Sequence, residues 1–136
     1  MIFYHATLKK NLSNIRKYGL DPGRTTEGAT AFKTLEGFIF LSRTLAGAKN
    51  WAYGIAEIDT IKFGYKPHDV VILRLDTNVP VEVDDESPLN YTPYFDASYR
   101  PILKTDPIDY YTTERIPPSA IRAVYTYKPK RTRDES

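Results

Sequence analysis

Apolar and polar positions along this chain switch between a period of two and a helical period, and the switches mark its elements. Ile2, Phe3 and Tyr4 open an apolar run that predicts a strand over residues 2–6, with His5 inside it. Leu8, Leu12 and Ile15 then recur at helical spacing, while Lys9, Lys10, Asn14, Arg16 and Lys17 fill the other face. Thr7 has the side chain of a helix N-cap, and Gly19 is the residue type that ends a helix in the left-handed conformation. DPGRTTEGATAFKTLE (Asp21–Glu36), with two glycines, one proline and four threonines, predicts a loop longer than most connections, the kind that carries function.

GFIFLS (Gly37–Ser42) predicts a short strand. Thr44 is placed to cap a second helix over TLAGAKNWAYGIAEI, whose stripe is Leu45, Ala48, Ala52 and Ile55 and whose interior is weakened by Gly47 and Gly54. VVILRLD (Val70–Asp76) is the strongest strand, and PVEVD (Pro80–Asp84) alternates as another. Asp85–Thr105 reads as loop with a short strand at Arg100–Lys104. IDYYTTE (Ile108–Glu114), the turn RIPPSAI and a closing strand AIRAVYTY (Ala120–Tyr127) follow. Helical patterns end before the run of strands begins, so crossover helices for a parallel sheet are missing and the expected class is α+β. Nothing divides the chain, which predicts one domain over 1–127 and a mixed-charge, mainly basic tail over 128–136.

Composition narrows the chemistry. The 136 residues are 41% hydrophobic and 26% charged, an ordinary globular balance. Cysteine is absent, which excludes disulfides and thiolate metal sites. A net charge of +2 is too small to argue nucleic-acid binding by itself. No run has the length of a membrane span and no leader pattern is seen, so the expectation is a cytoplasmic protein with no membrane partner. The 11 Tyr and 6 Phe suit half-buried strands and flat ligands alike.

The common catalytic and nucleotide motifs are missing: no HExxH, no nucleophile elbow, no P-loop and no GxGxxG. With only His5 and His68 in unrelated contexts, no metal is expected. Three separated segments remain: FYHAT at a strand end, GFIFLSRTLAGAKNWAYG running from strand to helix, and DYYTTERIPPSAIRAV running from acids through a turn to a strand. They offer an imidazole, stacking rings beside a small hydroxyl, and a carboxylate. Those are the parts needed to split nicotinamide from NAD, because the ribose left behind is oxocarbenium-like and the leaving ring is flat.

In that order the three segments resemble the ADP-ribosyltransferase superfamily. The likeness is to its histidine–aromatic–acid branch, which includes poly-ADP-ribose polymerases, diphtheria-type toxins and DNA-targeting toxins. YHAT with a helix ending in KYGLDP is similar to the first motif, GFIFLS and its helix to the second, and IPPSAI to the tail of the third. The resemblance implies two small mixed or antiparallel sheets around an NAD cleft with flanking helices. It also implies mono-ADP-ribosyl transfer from NAD, as substrate, to a protein or nucleic-acid acceptor.

By the same resemblance His5 would hold the adenine-proximal ribose, and Thr7 matches the small hydroxyl residue of its motif. Ser42 with Trp51 or Tyr53 would frame the nicotinamide, with Phe40 or Ile39 where relatives often carry a strand tyrosine. Arg24 in the long loop would be available for a phosphate. Relatives carry a glutamate about seven residues before the isoleucine of the IPP turn; counted back from Ile116 this gives Asp109, with Glu114 as the rival acid. On a regular strand these two lie on opposite faces, so they are alternatives and not partners. Three other readings stand beside this one: a degenerate module that binds NAD, ADP-ribose or a nucleic acid without turnover, an RNA 2′-phosphotransferase-like enzyme, and an interaction protein of unrelated fold.

Overall fold

The computed structural model describes residues 1–23 and 37–128. Arg24, most of the Asp21–Glu36 loop and the tail from residue 129 lie outside the described residues. The strands are β1 (Ile2–Leu8), β2 (Ile39–Ser42), β3 (Val70–Asp76), β4 (Glu82–Val83), β5 (Tyr91–Phe95), β6 (Pro101–Leu103), β7 (Asp109–Thr112) and β8 (Ile121–Tyr127). The helices are α1 (Leu12–Tyr18) and α2 (Leu45–Phe63), with short 3₁₀ turns at Lys9–Asn11, Pro88–Asn90 and Pro118–Ala120. The architecture is α+β. Six strands in the order β4-β7-β2-β1-β3-β8 form one sheet, β5 and β6 a second of two strands, and every pairing is antiparallel.

The central strand explains its own sequence. Val71, Leu73 and Leu75 of β3 face a core with Phe3, Ile15, Leu20, Ile39, Leu41 and Ile116. Val70 and Ile72 face the opposite core, with Leu8 and the Ala48, Ala52, Ile55 and Ala56 stripe of α2. A strand covered on both sides has no polar face, which is why VVIL reads as an unbroken apolar run. Each fully buried aliphatic side chain there is worth about 1.5–3 kcal/mol.

Several boundaries differ from the sequence expectation, each for a tertiary reason. Strand β1 runs on to Leu8 because its ladder with β3 continues to the pair Leu8↔Val70. Thr7 is therefore a buried strand residue and not the helix cap; α1 starts at Leu12 after a 3₁₀ turn, from Asn11 without a side-chain cap. Helix α2 extends past Ile58 to Phe63, because its capping at Thr44 holds (the Oγ1 accepts from Gly47 N at 3.0 Å) and Gly64, at φ 70°, supplies the stop. In Asp85–Thr105 the short strand expected at Arg100–Lys104 appears as β6, and it pairs with β5, a strand the sequence expectation lacked.

Gly19 ties the two ends of the fold. At φ 80° it turns the chain so that Leu20 and Ile116 exchange backbone hydrogen bonds of 2.8 and 3.0 Å. A Cβ at Gly19 would sit 2.2 Å from the Ile116 carbonyl oxygen, so KYGLDP and RIPP meet only if this residue is glycine.

The far end of α2 holds a buried acid bonded to a half-buried histidine. Asp59 is fully buried and its Oδ2 lies 2.5 Å from His68 Nε2, while the His68 amide donates to the Ala56 carbonyl at 2.9 Å. A hydrogen bond to a buried charged group is worth about 1.5–3 kcal/mol. His68→Ala is expected to lower unfolding stability by about 2 kcal/mol, read from urea midpoints at constant slope. A loss below ~1 kcal/mol would show that the pair contributes little beyond a surface salt bridge.

Candidate functional site

Strands β1 and β2 are joined by a single register pair, Tyr4↔Ser42. Beyond that pair the ladder is replaced by a side chain: His5 Nδ1 lies 2.7 Å from the Phe40 carbonyl oxygen. A carbonyl only accepts, so Nδ1 carries the proton and donates it. The half-buried imidazole thus fills the seam between the two halves of the large sheet. Its Nε2, an acceptor in the neutral ring, has no hydrogen-bond partner among the described residues.

Burial pushes the His5 pKa below its usual value of 6.5, against the smaller upward pull of the bond to Phe40. Protonation is therefore easier in the unfolded chain, so this residue's contribution to stability is complete above pH 6.5 and is lost as pH falls below it. His5→Gln is expected to flatten the wild-type loss of stability between neutral pH and pH 5. Denaturant midpoints of the two proteins across that range check the sign. Their difference isolates His5 from Asp84, whose raised pKa works in the opposite sense from pH 3.8 upward.

On one side of this seam opens a cleft of about 370 Å³, lined by Phe40, Trp51, Asp84, Glu86, Ser87 and Asp109 among others. Phe40 leaves β2 on the side that faces α2, and Trp51 rises from the second turn of that helix. Their rings stack, with centroids 5.2 Å apart and planes 24° from parallel. The helix comes this close because position 47 has no side chain: a Cβ there would lie 2.1 Å from Ser42 Oγ and 2.9 Å from the Ile108 side chain. The glycine that weakens the helix in isolation is what brings Trp51 to the strand.

Asp109 opens β7 directly across from Ser42, and it is 1% exposed. Its Oδ2 accepts a hydrogen bond from Ser87 Oγ at 2.5 Å. Its Oδ1 is buried without a partner, as is Ser42 Oγ on the facing strand. Buried polar atoms are nearly always paired, so an orphaned carboxylate oxygen on a residue that lines a cleft marks a candidate place for a ligand hydroxyl or N–H.

Around this acid the chain is tied by Asn90, which is fully buried. Its amide donates to the Asp84 and Asp109 carbonyls and accepts from the Ile108 and Asp109 amides, all four bonds 2.8 Å long. Asp84, also buried, lines the cleft beside Asp109, and its Oδ1 accepts from the Glu86 amide at 3.1 Å. Burial raises the Asp84 pKa, the bond from Glu86 opposes this, and the nearby charges of Asp109, Glu86 and Asp85 raise it further.

The structure thus gathers Phe40, Ser42, Trp51 and Asp109 and leaves other candidates elsewhere. Trp51, not Tyr53, supplies the helix ring that faces the cleft; Tyr53 is 53% exposed and is not part of its lining. Glu114 stands beyond the end of β7, exposed, its amide bonded to Thr112 Oγ1 at 3.1 Å. Thr7 receives Asn11 Nδ2 at 3.5 Å and does not line the cleft, and nor does His5, which reaches it only through Phe40. Ser87, Asn90 and Asp84 are the members that sequence reading missed. Their only signal is the cluster of turn-forming side chains in DDESPLN, which announces a turn but not the strand it wraps.

Among the described residues no group of three His, Cys, Asp or Glu side chains is arranged to hold a metal, and no helix is long and apolar enough to cross a membrane. No protein-family model matches the chain, and a search of curated proteins finds no match either.

Proposed function

We propose that this chain is an NAD-dependent mono-ADP-ribosyltransferase with a macromolecular acceptor, and that the Phe40–Trp51–Asp109 cleft takes the nicotinamide end of NAD. The observation that carries the reading is the stacked ring pair facing a buried acid with one oxygen free. A pyridinium ring stacks on the cleft side of that pair, where burial of a flat apolar surface and the ring quadrupole both favour it.

Asp109 Oδ1 accepts a hydroxyl of the adjoining ribose and puts its negative charge beside the carbon that becomes cationic as nicotinamide leaves. Ser87 fixes the other oxygen, so the carboxylate is oriented before substrate arrives. His5, which does not line the cleft, acts through its bond to the Phe40 carbonyl and fixes the strand that carries that ring. The free Oγ of Ser42 lies beside Asp109 for the same sugar or for the carboxamide.

The same cleft acting as a binding module without turnover is the second reading. The reach of Asp109, one methylene shorter than a glutamate, favours it, as does its 1% exposure. Incubation with NAD labelled in its adenylate half separates the two. The transferase releases nicotinamide and passes label to a macromolecular fraction. Calorimetric binding without either product selects the binding module, and no binding of NAD refutes both.

A further inference from the structure

We infer that the pole where α2 ends is a docking surface for an anionic phospholipid bilayer, which Phe63 and Tyr65 enter while the lysines around them meet the headgroups. The inference goes beyond the transferase reading and does not rest on it. Helix α2 outruns the sheet: its buried stripe ends at Asp59, and β3 does not begin until Val70. Gly64, at φ 70°, stops the helix and turns the chain, and every residue from Ile61 to Pro67 is exposed. Phe63 and Tyr65 are 56% and 58% exposed, and their rings lie against each other with centroids 5.4 Å apart.

Single exposed apolar side chains are ordinary and call for no partner. This pair differs because it projects from the fold and is fixed there. At the base of the turn His68 Nε2 lies 2.5 Å from Asp59 Oδ2, and the His68 amide donates to the Ala56 carbonyl at 2.9 Å. The apolar wedge is thus built before a partner arrives, and little ordering cost remains for binding.

Charge selects the partner. Lys62 and Lys66 flank the two rings in sequence. The Lys9 amide donates to the Asp69 carbonyl at 2.9 Å, which brings Lys9 and Lys10 to the same pole, and the pair Val70↔Tyr127 brings Lys128 there. All these lysines are exposed, and none is in an ion pair with a described residue. The acids beside them are exposed Asp69 and half-buried Glu57, since Asp59 is bonded to His68.

Paired apolar rings with a surplus of lysine fit the interface of an anionic bilayer. The rings sink about 5–10 Å, to the acyl boundary, and the lysine stems carry their ammonium groups back to the headgroups. A nucleic acid shares the charge preference, but it stacks its bases on open ring faces, and here each ring covers part of the other. Among the described residues no helix is long and apolar enough to cross a membrane, and a surface contact needs none.

Sedimentation of the full chain with vesicles tests this. Binding to vesicles of equal parts phosphatidylserine and phosphatidylcholine is expected to be about tenfold tighter, or more, than to phosphatidylcholine alone. Lys62→Gln/Lys66→Gln is expected to weaken it about tenfold, and Phe63→Ser/Tyr65→Ser by a similar factor. These side chains are exposed, so both double variants keep the wild-type circular dichroism. Tyr99→Ser, at an 89% exposed position between β5 and β6, is the control and is expected to bind as the wild type does. A folded protein that ignores phosphatidylserine vesicles at low salt overturns the inference, as does binding that survives both double variants. So does a single-stranded oligonucleotide, or a second copy of the chain, held through Phe63 and Tyr65 when vesicles are not bound.

Discussion

Asp109→Asn is expected to slow nicotinamide release from NAD by about a hundredfold or more, with little change in NAD affinity. The substitution keeps the shape of the side chain and an oxygen for Ser87, so the 2.5 Å bond that orients it has a counterpart in the variant. It removes the charge opposite the ribosyl cation, a term that exists only as the bond to nicotinamide breaks and so falls on kcat rather than on binding. Glu114→Ala, at an exposed position beyond β7, is expected to leave the rate within about twofold, the usual range for surface changes far from the chemistry. Initial rates at saturating NAD, beside calorimetric Kd values, test both. A large loss in Glu114→Ala with an active Asp109→Asn would reverse the assignment of the acid.

The second large effect is on stability. Asn90→Ala removes four hydrogen bonds at a fully buried position and strands the amides of Ile108 and Asp109, while the Asp84 carbonyl keeps a bond from the Ser87 amide at 3.2 Å. The Asp109 carbonyl retains a bond from the Asp84 amide at 3.1 Å. Each buried backbone group left without a partner costs about 1–3 kcal/mol, so a total loss of about 4 kcal/mol is expected. Urea unfolding followed by far-ultraviolet circular dichroism measures it. A loss under ~1 kcal/mol would mean that water or a relaxed backbone replaces the clamp, and that Asn90 does not fix the entry to β7.

Local pattern carried much of this fold and part of its site. The two-sided burial of β3 was legible as an apolar run, and the α2 cap at Thr44 and the stop at Gly19 follow from side chains that act within a few residues. What the sequence concealed depends on contacts between distant strands. Thr7 has the chemistry of a cap, yet the β1–β3 ladder runs through it and delays the helix. Gly47 and Gly54 look like helix breakers, although Gly47 serves the approach of α2 to Ser42.

The family resemblance, counted back from Ile116, names Asp109 as the candidate acid, and that residue is in the cleft lining. Its support could not be named this way: Asn90 and Ser87 lie 19 and 22 residues earlier, in a segment whose composition says only turn. Trp51 and Tyr53 were equivalent as aromatic residues two apart on a helix. Only the direction of α2 against β2 decides that Trp51 meets Phe40 while Tyr53 faces solvent.

Trp51 is the single tryptophan of the chain and stacks on Phe40 inside the cleft, so its fluorescence reports on this site alone. Titration with NAD is predicted to quench that emission in a saturable way, with the quench weakened in Phe40→Ala and retained in Tyr53→Phe. Emission that does not respond to NAD, in a protein shown to be folded, would contradict the placement of nicotinamide in this cleft.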